Sequence, residues 1–311
     1  MSDRPLVSFI VLAYRQEQFI RESVRSAFSQ SYEHLEIILS DDASPDLTFA
    51  VMEEEVKGYR GIHTVILNRN SENLGLAGNL NKAVQLSSGK LLVLQGGDDI
   101  SIPSRAVKLV ECWTSSRPRP ELVYSDVATI DCDGRAISAR KGSIPIISAE
   151  EMIRGKWFIA GGCAAAYSRS LFDRYGLLDP DIQYEDYVLT FRALLGTGCA
   201  YVDEPLVHYR IHGLSILQTI ENSTKTRSVE ARRAKQSVAE EGERLRAWDL
   251  SGKSSLGLRW RLTRNLAYAR LNARSSTSSL SAAFACVVCA VASIRPRAAW
   301  KLFRRDVLRG R

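Results

Sequence analysis

The chain has 311 residues, enough for one large α/β domain with an appendage or for two smaller domains. Its composition, 45% hydrophobic and 25% charged, is that of a globular protein and argues against disordered, collagen-like and repeat architectures. The net charge of +7 is unevenly distributed: from Lys253 onward 13 Lys and Arg residues accompany one acid, whereas the first 252 residues hold 29 bases and 34 acids. This distribution indicates an anionic partner near the tail, a membrane surface or nucleic acid, and the alternative is a solvated basic helix.

The six cysteines are scattered and show no spacing typical of a secreted disulfide framework, which favours a reducing compartment. The N-terminal sequence MSDRPLVSFIVLAY has no basic segment and no cleavage site, and its apolar run is short and rich in β-branched residues. It therefore predicts a first strand and not a signal peptide, and the expected location is the cytoplasm.

The first hundred residues alternate strand and helix patterns. Apolar residues recur at helical spacing over 19–28 and again over 76–87. Short apolar, β-branched runs predict four strands, at Val7–Ala13, Leu35–Ser40, Thr64–Leu67 and Leu91–Leu94. Strands that alternate with helices in this way predict an α/β fold with a doubly wound parallel sheet, whose strands are buried on both faces.

Residues 101–218 follow a less regular pattern. It predicts helices from Pro103 to about Ser115 and over Tyr187–Leu195, strands at Glu121–Ser125 and near Ala200–Val202, and a Gly/Ala-rich stretch at Ala160–Ala166.

From about Gln218 the chain has a helical composition, first charged and alanine-rich and then rich in Arg and Leu. Within it, residues 280–294 form an apolar stretch that is shorter than the roughly 20 residues needed to span a bilayer. The bases that follow suggest an interfacial anchor, and packing on the body or on a second subunit is the alternative. The predicted organisation is 1–100 and 101–218 as two halves of one domain, with 219–311 as a basic helical extension.

Acidic residues follow two of the predicted strands directly. Asp41, Asp42 and Asp46 come after the second strand, and Asp98 and Asp99 come after the fourth. In open α/β sheets the ligand binds beyond the carboxyl ends of the strands, so both groups are expected at one edge. Two acidic pairs placed there repel each other unless a cation lies between them, whereas a single pair in a turn is more often a cap.

A third acidic pair, Glu185 and Asp186, stands where the pattern of a helix begins. Acids in a first helical turn are favoured by the helix dipole alone. The functional alternative is a general base that the helix holds rigidly toward the same cleft.

Four motifs in order carry a resemblance to a known family. They are YRQEQFIRESVRSAFSQSYEHLEIILSDDAS, ENLGLAGNLNKAVQLSSGKLLVLQGGDDISIPSR, YEDYVLTFRALL and YRIHGLS. From about Leu6 to Ser215 the chain resembles the family 2 inverting glycosyltransferases, which have a GT-A fold. The resemblance implies a Rossmann-like, doubly wound, mostly parallel sheet, here followed by a C-terminal helical extension.

Matching the motifs position by position implies roles for individual residues. Asp186 matches the catalytic base that takes the proton of an acceptor hydroxyl, and Glu185 matches a neighbour that orients other groups or touches the acceptor. Asp42 matches the carboxylate that accepts a hydrogen bond from the nucleobase of the donor, typically from uracil N3–H. The other residues matched to the nucleotide site are Ala13, Tyr14, Glu17, Asn79, Asp98 and Arg210. The residues matched to a site for Mg²⁺ or Mn²⁺ are Asp99, Asp98 and His212.

Two positions depart from the family pattern. Gly96 stands where members often carry the first aspartate of the metal motif, and Gly78 stands where many carry arginine. The metal site then depends mainly on Asp99, and one phosphate contact is missing or comes from elsewhere. A catalytically degenerate nucleotide-binding or scaffold protein with the same fold is the alternative function.

The function that the resemblance implies is inverting transfer of a sugar from a nucleoside diphosphate donor, expected to be a UDP-sugar, to a hydroxyl of a glycan or lipid-linked acceptor. Synthesis of a cell-envelope polysaccharide at the inner face of the membrane is consistent with the basic segment 253–311. An ordinary dinucleotide or P-loop enzyme is disfavoured because G-x-G-x-x-G after the first strand and G-x-x-x-x-G-K-[ST] are both missing from the sequence. No nucleic acid partner is expected, since the body is acidic and the tail has few aromatic residues for stacking.

Overall fold

The computed structural model describes residues 4–140, 146–156, 158–212 and 227–277. The chain forms two compact units, Met1–Ser215 and Ile216–Arg311.

The first unit contains one mixed sheet and the helices that cover it. In the described part of the chain its strands are β1 (Val7–Ala13), β2 (Leu35–Asp41), β3 (Thr64–Arg69), β4 (Leu91–Gly96), β5 (Ile100–Ser101), β6 (Leu122–Ile130), β7 (Ala136–Arg140), β8 (Ala165–Ser168) and β9 (Cys199–Arg210). The helices are α1 (Ile20–Phe28), α2 (Thr48–Gly58), α3 (Gly75–Leu86), α4 (Arg105–Ser115), α5 (Ala149–Ile153), α6 (Arg169–Tyr175) and α7 (Glu185–Leu195), with a 3₁₀ turn at Gly162–Ala164.

The strand order is β3-β2-β1-β4-β8-β6-β9-β5, and β7 pairs with β6. Strands β1 to β4 are mutually parallel where they pair, and β6 is parallel to β9. Strand β8 runs antiparallel to both of its neighbours, β4 and β6, and so joins the two parallel parts. The predicted α/β fold with a doubly wound sheet is confirmed, and the antiparallel β8 is an addition that the sequence patterns did not predict.

The register of the first strands places their ends level with one another. Ala13 of β1 is paired with Asp41 of β2, and Leu12 is paired with Gly96 of β4. The segments that follow β1, β2 and β4 therefore leave the sheet at one edge, which is the edge where acidic residues were expected.

The core explains why these segments are continuous apolar runs. Every residue of β1 and β2 is buried, because helices cover both faces of a doubly wound sheet. One cluster contains alternate residues of β1 and β2 together with residues of α1 and α4, among them Phe9, Ile37, Val24 and Trp113. Helix α3 packs against β1 and β2 as well.

The four strands predicted in the first hundred residues are confirmed, with β2, β3 and β4 extending one or two residues further. The helices predicted near 103–115 and 187–195 are present as α4 and α7. Helices α2, α5 and α6 and the hairpin strand β7 had no prediction, because their apolar residues are few or irregularly spaced.

In the second unit, α8 (Arg227–Leu250) and α9 (Leu256–Thr277) are connected by a short turn. They pack on each other, and the buried residues include Trp248 of α8 and Leu262 and Leu266 of α9. The predicted helical extension is confirmed for this stretch. The apolar stretch 280–294 and the bases after it lie outside the described residues. Within the stretches described, no helix combines the length and the apolar character that a membrane crossing requires.

Candidate active site

The segments that leave β1 and β2 both contain a residue in the left-handed region. Arg15 has a φ of 57° and Ala43 has a φ of 55°. A hydrogen bond from Arg15 N to Ser44 Oγ, 2.9 Å long, joins the two segments. Non-glycine residues rarely adopt this conformation, and such strained residues cluster at functional sites.

Asp42 lies just beyond β2 with its carboxylate held from several sides. The side chain is 2% exposed. Oδ1 accepts hydrogen bonds from Leu74 N at 2.8 Å and from Asn70 Nδ2 at 2.9 Å, and Oδ2 accepts one from Gly75 N at 2.9 Å. Two of these donors are backbone groups where α3 begins, where the helix dipole favours a negative charge. The carboxylate thus has a fixed orientation at the predicted nucleotide pocket.

Asn79 belongs to a buried amide network behind Asp42. Its Oδ1 accepts from Ser40 Oγ at 2.6 Å and from Asn70 Nδ2 at 3.0 Å, while its Nδ2 donates to Ser40 O at 3.1 Å. Asn68 donates to Ser40 Oγ and to Asn70 Oδ1. Asn79 therefore contacts Asp42 through Asn70, and its direct contact with a nucleotide stays a prediction. Asn70 is a site residue that sequence reasoning missed.

The other residues predicted for the nucleotide pocket follow β1. Ala13 is buried at the end of the strand, whereas the next residue, Tyr14, is 43% exposed. Glu17 is exposed, and its Oε2 accepts a hydrogen bond from Leu47 N at 3.0 Å. Tyr14 thus presents an accessible aromatic ring at this edge, available to a planar ligand.

Asp99 is buried three residues after the end of β4. It is 2% exposed, and its Oδ1 accepts a hydrogen bond from Arg210 N at 3.0 Å. Burial and then the charge of Asp98 hold the pKa of Asp99 well above its usual range. A cation bound beside Asp98 and Asp99 would stabilise their ionised forms, because it offsets the repulsion between the two negative charges.

The space in front of Gly96 is shared by both of these acids. A Cβ atom at position 96 would lie 2.7 Å from Oδ1 of Asp98 and 2.9 Å from Oδ2 of Asp99. The two carboxylate oxygens therefore converge on the space that Gly96 leaves open. Mg²⁺ and Mn²⁺ bind one or two carboxylates and complete their coordination with substrate phosphates and water, and this donor set fits that requirement.

His212 adds an imidazole to the same group. Its Nε2 lies 2.8 Å from Oδ2 of Asp98, and its ring lies 4.6 Å from the ring of Phe19. Within the described ranges, no three His, Cys, Asp or Glu side chains are arranged to hold a metal ion by themselves. In this conformation His212 is therefore a partner of Asp98, and its role as a metal ligand stays a prediction.

Arg210 is 1% exposed and directs its donors into the protein. Nε donates to Asp98 O at 3.0 Å, Nη1 donates to the carbonyl oxygens of Asp131 and Cys132, and Nη2 donates to Oε2 of Glu22. The guanidinium thus fixes the Asp98–Asp99 segment to β9. Since these donors already have acceptors, the predicted contact of Arg210 with phosphate requires some of these bonds to open.

Glu185 and Asp186 begin α7, as predicted, but the helix starts two residues earlier than its apolar pattern. Glu185 is 9% exposed, and burial followed by the charge of Asp186 raises its pKa to about 8. Burial also raises the pKa of Asp186, whose Oδ1 accepts from Tyr187 N at 2.8 Å. Gly162 approaches Oε1 of Glu185 so closely that a side chain at position 162 would displace the Glu185 carboxyl. A raised pKa makes a carboxylate a stronger base.

The turn at Gly162 and Cys163 contacts one acidic pair, Glu185 and Asp186, and lies within electrostatic reach of the other. Burial raises the pKa of the Cys163 thiol well above the usual range, and the charges of Asp99, Asp98 and Asp186 raise it further. The cysteine therefore lies within electrostatic reach of both pairs. The structure thus brings together the metal-motif acids and the predicted base, which are almost ninety residues apart in the sequence.

Arg105 is a second residue that sequence reasoning missed. It is fully buried at the start of α4 and donates from Nη2 to Leu94 O and Cys163 O, and from Nη1 to Ser101 Oγ. Burial lowers its pKa to about 10, and Cys163 and Asp99 offset this in part. The only sequence signal was an arginine at the first position of a helix that otherwise buries apolar residues.

Comparison with known proteins identifies the family of the chain. Residues 8–176, more than half of the chain, match the family described as Glycosyl transferase family 2. An uncharacterised glycosyltransferase of Haemophilus influenzae is 43% identical over 110 residues, which are 35% of this chain and 33% of that protein, so the chain spans about a third of that relative's length. The Escherichia coli protein WfaP, named as a UDP-Glc:alpha-D-GlcNAc-diphosphoundecaprenol beta-1,3-glucosyltransferase, is 29% identical over 216 residues, 68% of this chain and 79% of WfaP.

The solved structures agree at the level of the fold. The mannosyltransferase PcManGT of Pyrobaculum calidifontis, in complex with GDP-Man and Mn²⁺, superimposes with a TM-score of 0.56. It is 20% identical, and the match covers 99% of this chain and 86% of PcManGT. The predicted GT-A fold is confirmed, and with the family match over residues 8–176 the chain belongs to glycosyl transferase family 2.

Proposed function

We propose that this protein transfers a sugar from a nucleoside diphosphate donor to a hydroxyl group, with inversion at the anomeric carbon. The observation that carries the proposal is that Gly162 contacts both Glu185 and Asp186, while Arg105 ties the adjoining Cys163 to β4, the strand that leads to Asp98 and Asp99. Sugar transfer needs a group that stabilises the departing diphosphate and a base for the acceptor, and these pairs supply both functions.

The donor binds at the edge formed by the ends of β1 and β2. Asp42 accepts a hydrogen bond from the nucleotide base, with Ala13, Tyr14 and Glu17 lining the pocket. A UDP-sugar is the proposed donor, in agreement with the donor in the name of WfaP, whereas PcManGT was solved with GDP-Man. Both nucleotides therefore belong in the experimental test.

Asp98, Asp99 and His212 are the residues that would hold Mg²⁺ or Mn²⁺ in the proposed complex. A divalent cation supplies positive charge at the diphosphate leaving group. The chain contributes the two carboxylates, and the bonds of Arg210 to Asp99 and to the backbone of Asp98 keep them in place. Convergence of their oxygens in front of Gly96 supports this assignment.

Asp186 takes the proton from the acceptor hydroxyl as that oxygen attacks the anomeric carbon. A general base of this kind accelerates a reaction by roughly 10²–10⁴-fold. Glu185, whose pKa of about 8 keeps it protonated at neutral pH, donates a hydrogen bond that orients its surroundings or the acceptor.

The acceptor is proposed to be a glycan or a lipid-linked sugar of a growing cell-envelope polysaccharide. The diphosphoundecaprenol acceptor in the name of WfaP supports this class. The site of action is then the cytoplasmic face of the membrane.

Binding of UDP, GDP, CDP and dTDP, each with and without Mn²⁺, tests the donor site by calorimetry. We expect metal-dependent binding of one nucleotide, and we expect it to be lost in Asp99→Ala and weakened in Asp42→Ala. Asp186→Asn is expected to keep that binding and to lose transfer by about 10²-fold or more, since only the base is removed. The anomeric configuration of the product, read by NMR, then tests inversion.

Glu53 is exposed on α2, so Glu53→Gln is the control. This variant is expected to bind nucleotide and to transfer sugar as wild type does. Absence of binding for all four nucleotides in the presence of metal would contradict the proposal and favour a degenerate member of the family. Binding with unchanged transfer in Asp186→Asn would remove Asp186 from the mechanism.

A further inference from the structure

Three large apolar side chains are exposed at and near the turn between α8 and α9. Leu256 is 89% exposed, Trp260 is 55% exposed and Leu250 is 51% exposed. Among the large hydrophobic side chains in the described ranges, none is more exposed than Leu256. Single exposed apolar residues are ordinary, but here three lie within eleven residues of the sequence.

Two of these side chains lie on the side of α9 that faces away from α8. Leu258, Leu262 and Leu266 are buried, and Leu266 approaches Gly242 of α8. Leu256 and Trp260 each precede a buried leucine by two residues, and two residues turn an α-helix by about 200°. They therefore project opposite to the buried face, where a surface helix normally carries polar residues.

Helix α9 is also strongly basic. Over Leu256–Thr277 it holds five arginines and no acid, whereas α8 holds six bases and five acids. Arg259 is paired with Asp249 of α8 at 2.7 Å. Arg261 is exposed, and the guanidinium of Arg264 lies 5.4 Å from the centre of the Trp260 ring. Positive charge thus surrounds the exposed apolar side chains.

We infer that the outer face of α9, comprising Leu256, Trp260, Arg261 and Arg264, docks on an anionic lipid bilayer. Tryptophan favours the boundary between headgroups and acyl chains, and arginine is attracted to anionic headgroups. Apolar area combined with basic charge is the pattern of helices that lie in the membrane interface. Lipid binding through this face is independent of nucleotide binding, so one can fail while the other holds.

Flotation of the full chain with vesicles measures this docking directly. We expect binding to phosphatidylglycerol–phosphatidylcholine vesicles, little binding to phosphatidylcholine alone, and weaker binding as salt increases. Leu256→Ser combined with Trp260→Ser is expected to lower the partition coefficient by at least about tenfold, because apolar area is lost. Arg261→Gln is expected to lower it about fivefold.

Ile62→Ser serves as the matched control, because Ile62 is 75% exposed and lies in the first unit. It is expected to bind as wild type. In a Trp157→Phe, Trp300→Phe background, brominated lipids should quench tryptophan emission, and quenching should fall when Trp260→Phe is added, since the remaining Trp113 and Trp248 are buried.

Three results would overturn the inference. The first is failure of wild type to bind anionic vesicles. The second is binding of the serine double variant equal to that of wild type, which would assign binding to another segment. Self-association of wild type, lost in the double variant without any vesicle binding, would identify a second copy of the chain as the occupant of this face.

Discussion

The guanidinium of Arg105 donates a hydrogen bond from Nη2 to the carbonyl oxygen of Cys163, 2.7 Å away. The same nitrogen donates to Leu94 O at 2.8 Å, near the end of β4. Gly162, next to Cys163, packs against Glu185. One buried cation therefore links the strand that leads to Asp98 and Asp99 with the turn that supports the proposed base.

Arg105→Lys should lower kcat while the KM for the donor changes little. Lysine keeps the charge but cannot donate in three directions with the planar geometry of a guanidinium. A shift of about 1 Å between reacting groups can cost about 10²-fold in rate, which is the expected size of the effect. Steady-state kinetics and calorimetric nucleotide binding measure the two parts separately.

Arg192→Lys is the matched control for Arg105→Lys. Arg192 is also fully buried and donates to backbone carbonyls, those of Gly176 and Leu177. Both variants should lose thermal stability, but only Arg105→Lys should show the large fall in kcat. Equal falls in kcat would show that Arg105 acts only by stabilising the fold.

Glu185 should make the folded protein less stable as pH rises. Its pKa is raised from 4.5 to about 8, so between these values the folded state binds more protons than the unfolded state. The free energy of unfolding then decreases with increasing pH across this window. Glu185→Gln removes this contribution, so its stability relative to wild type should grow toward pH 8 by more than about 1.4 kcal/mol, the value of one pKa unit. Urea denaturation at several pH values measures this difference, and a constant difference would contradict the raised pKa.

Gly96→Ala should weaken metal-dependent nucleotide binding. The new methyl group would lie within 3 Å of oxygens of both Asp98 and Asp99, so the carboxylates must separate. Asp99 is buried and bonded to Arg210 N, which opposes that movement. We expect about tenfold weaker binding by calorimetry and a loss of about 1–3 kcal/mol in stability.

Gly58→Ala provides the comparison for Gly96→Ala, because a Cβ at position 58 meets nothing within 4 Å. It should leave nucleotide binding unchanged. If Gly96→Ala bound metal and nucleotide equally well, the space in front of Gly96 would not be the cation site.

Asn70→Ala should lower both stability and nucleotide affinity. Asn70 Nδ2 donates to Asp42 and to Asn79, so its loss leaves two buried acceptors each with one bond fewer. Such a loss costs about 1–3 kcal/mol. Urea denaturation and calorimetry measure the two effects. Asn73→Ala removes only a 3.4 Å bond to Asp42 O at an exposed position and should have little effect on either quantity.

Sequence alone determined the parts of this protein whose signals are local. Strands buried on both faces must be continuously apolar, so β1, β2 and β4 could be recognised as short apolar runs. In a doubly wound parallel sheet the topology decides at which edge a ligand binds. The sequence was therefore enough to place the acids after β2 and β4 at one edge. The acids of α7 were recognised from a different local signal, as polar residues at the start of a periodic helix.

Tertiary structure alone decided which groups meet across long stretches of sequence. The small residues of β8 gave no strand signal, yet this strand runs antiparallel between β4 and β6 and joins the two parallel parts of the sheet. The partners of Arg105 and Arg210 are mostly backbone carbonyls, and every residue carries such a carbonyl. Sequence cannot indicate which carbonyl a buried cation will reach, because that depends on how distant segments pack around it.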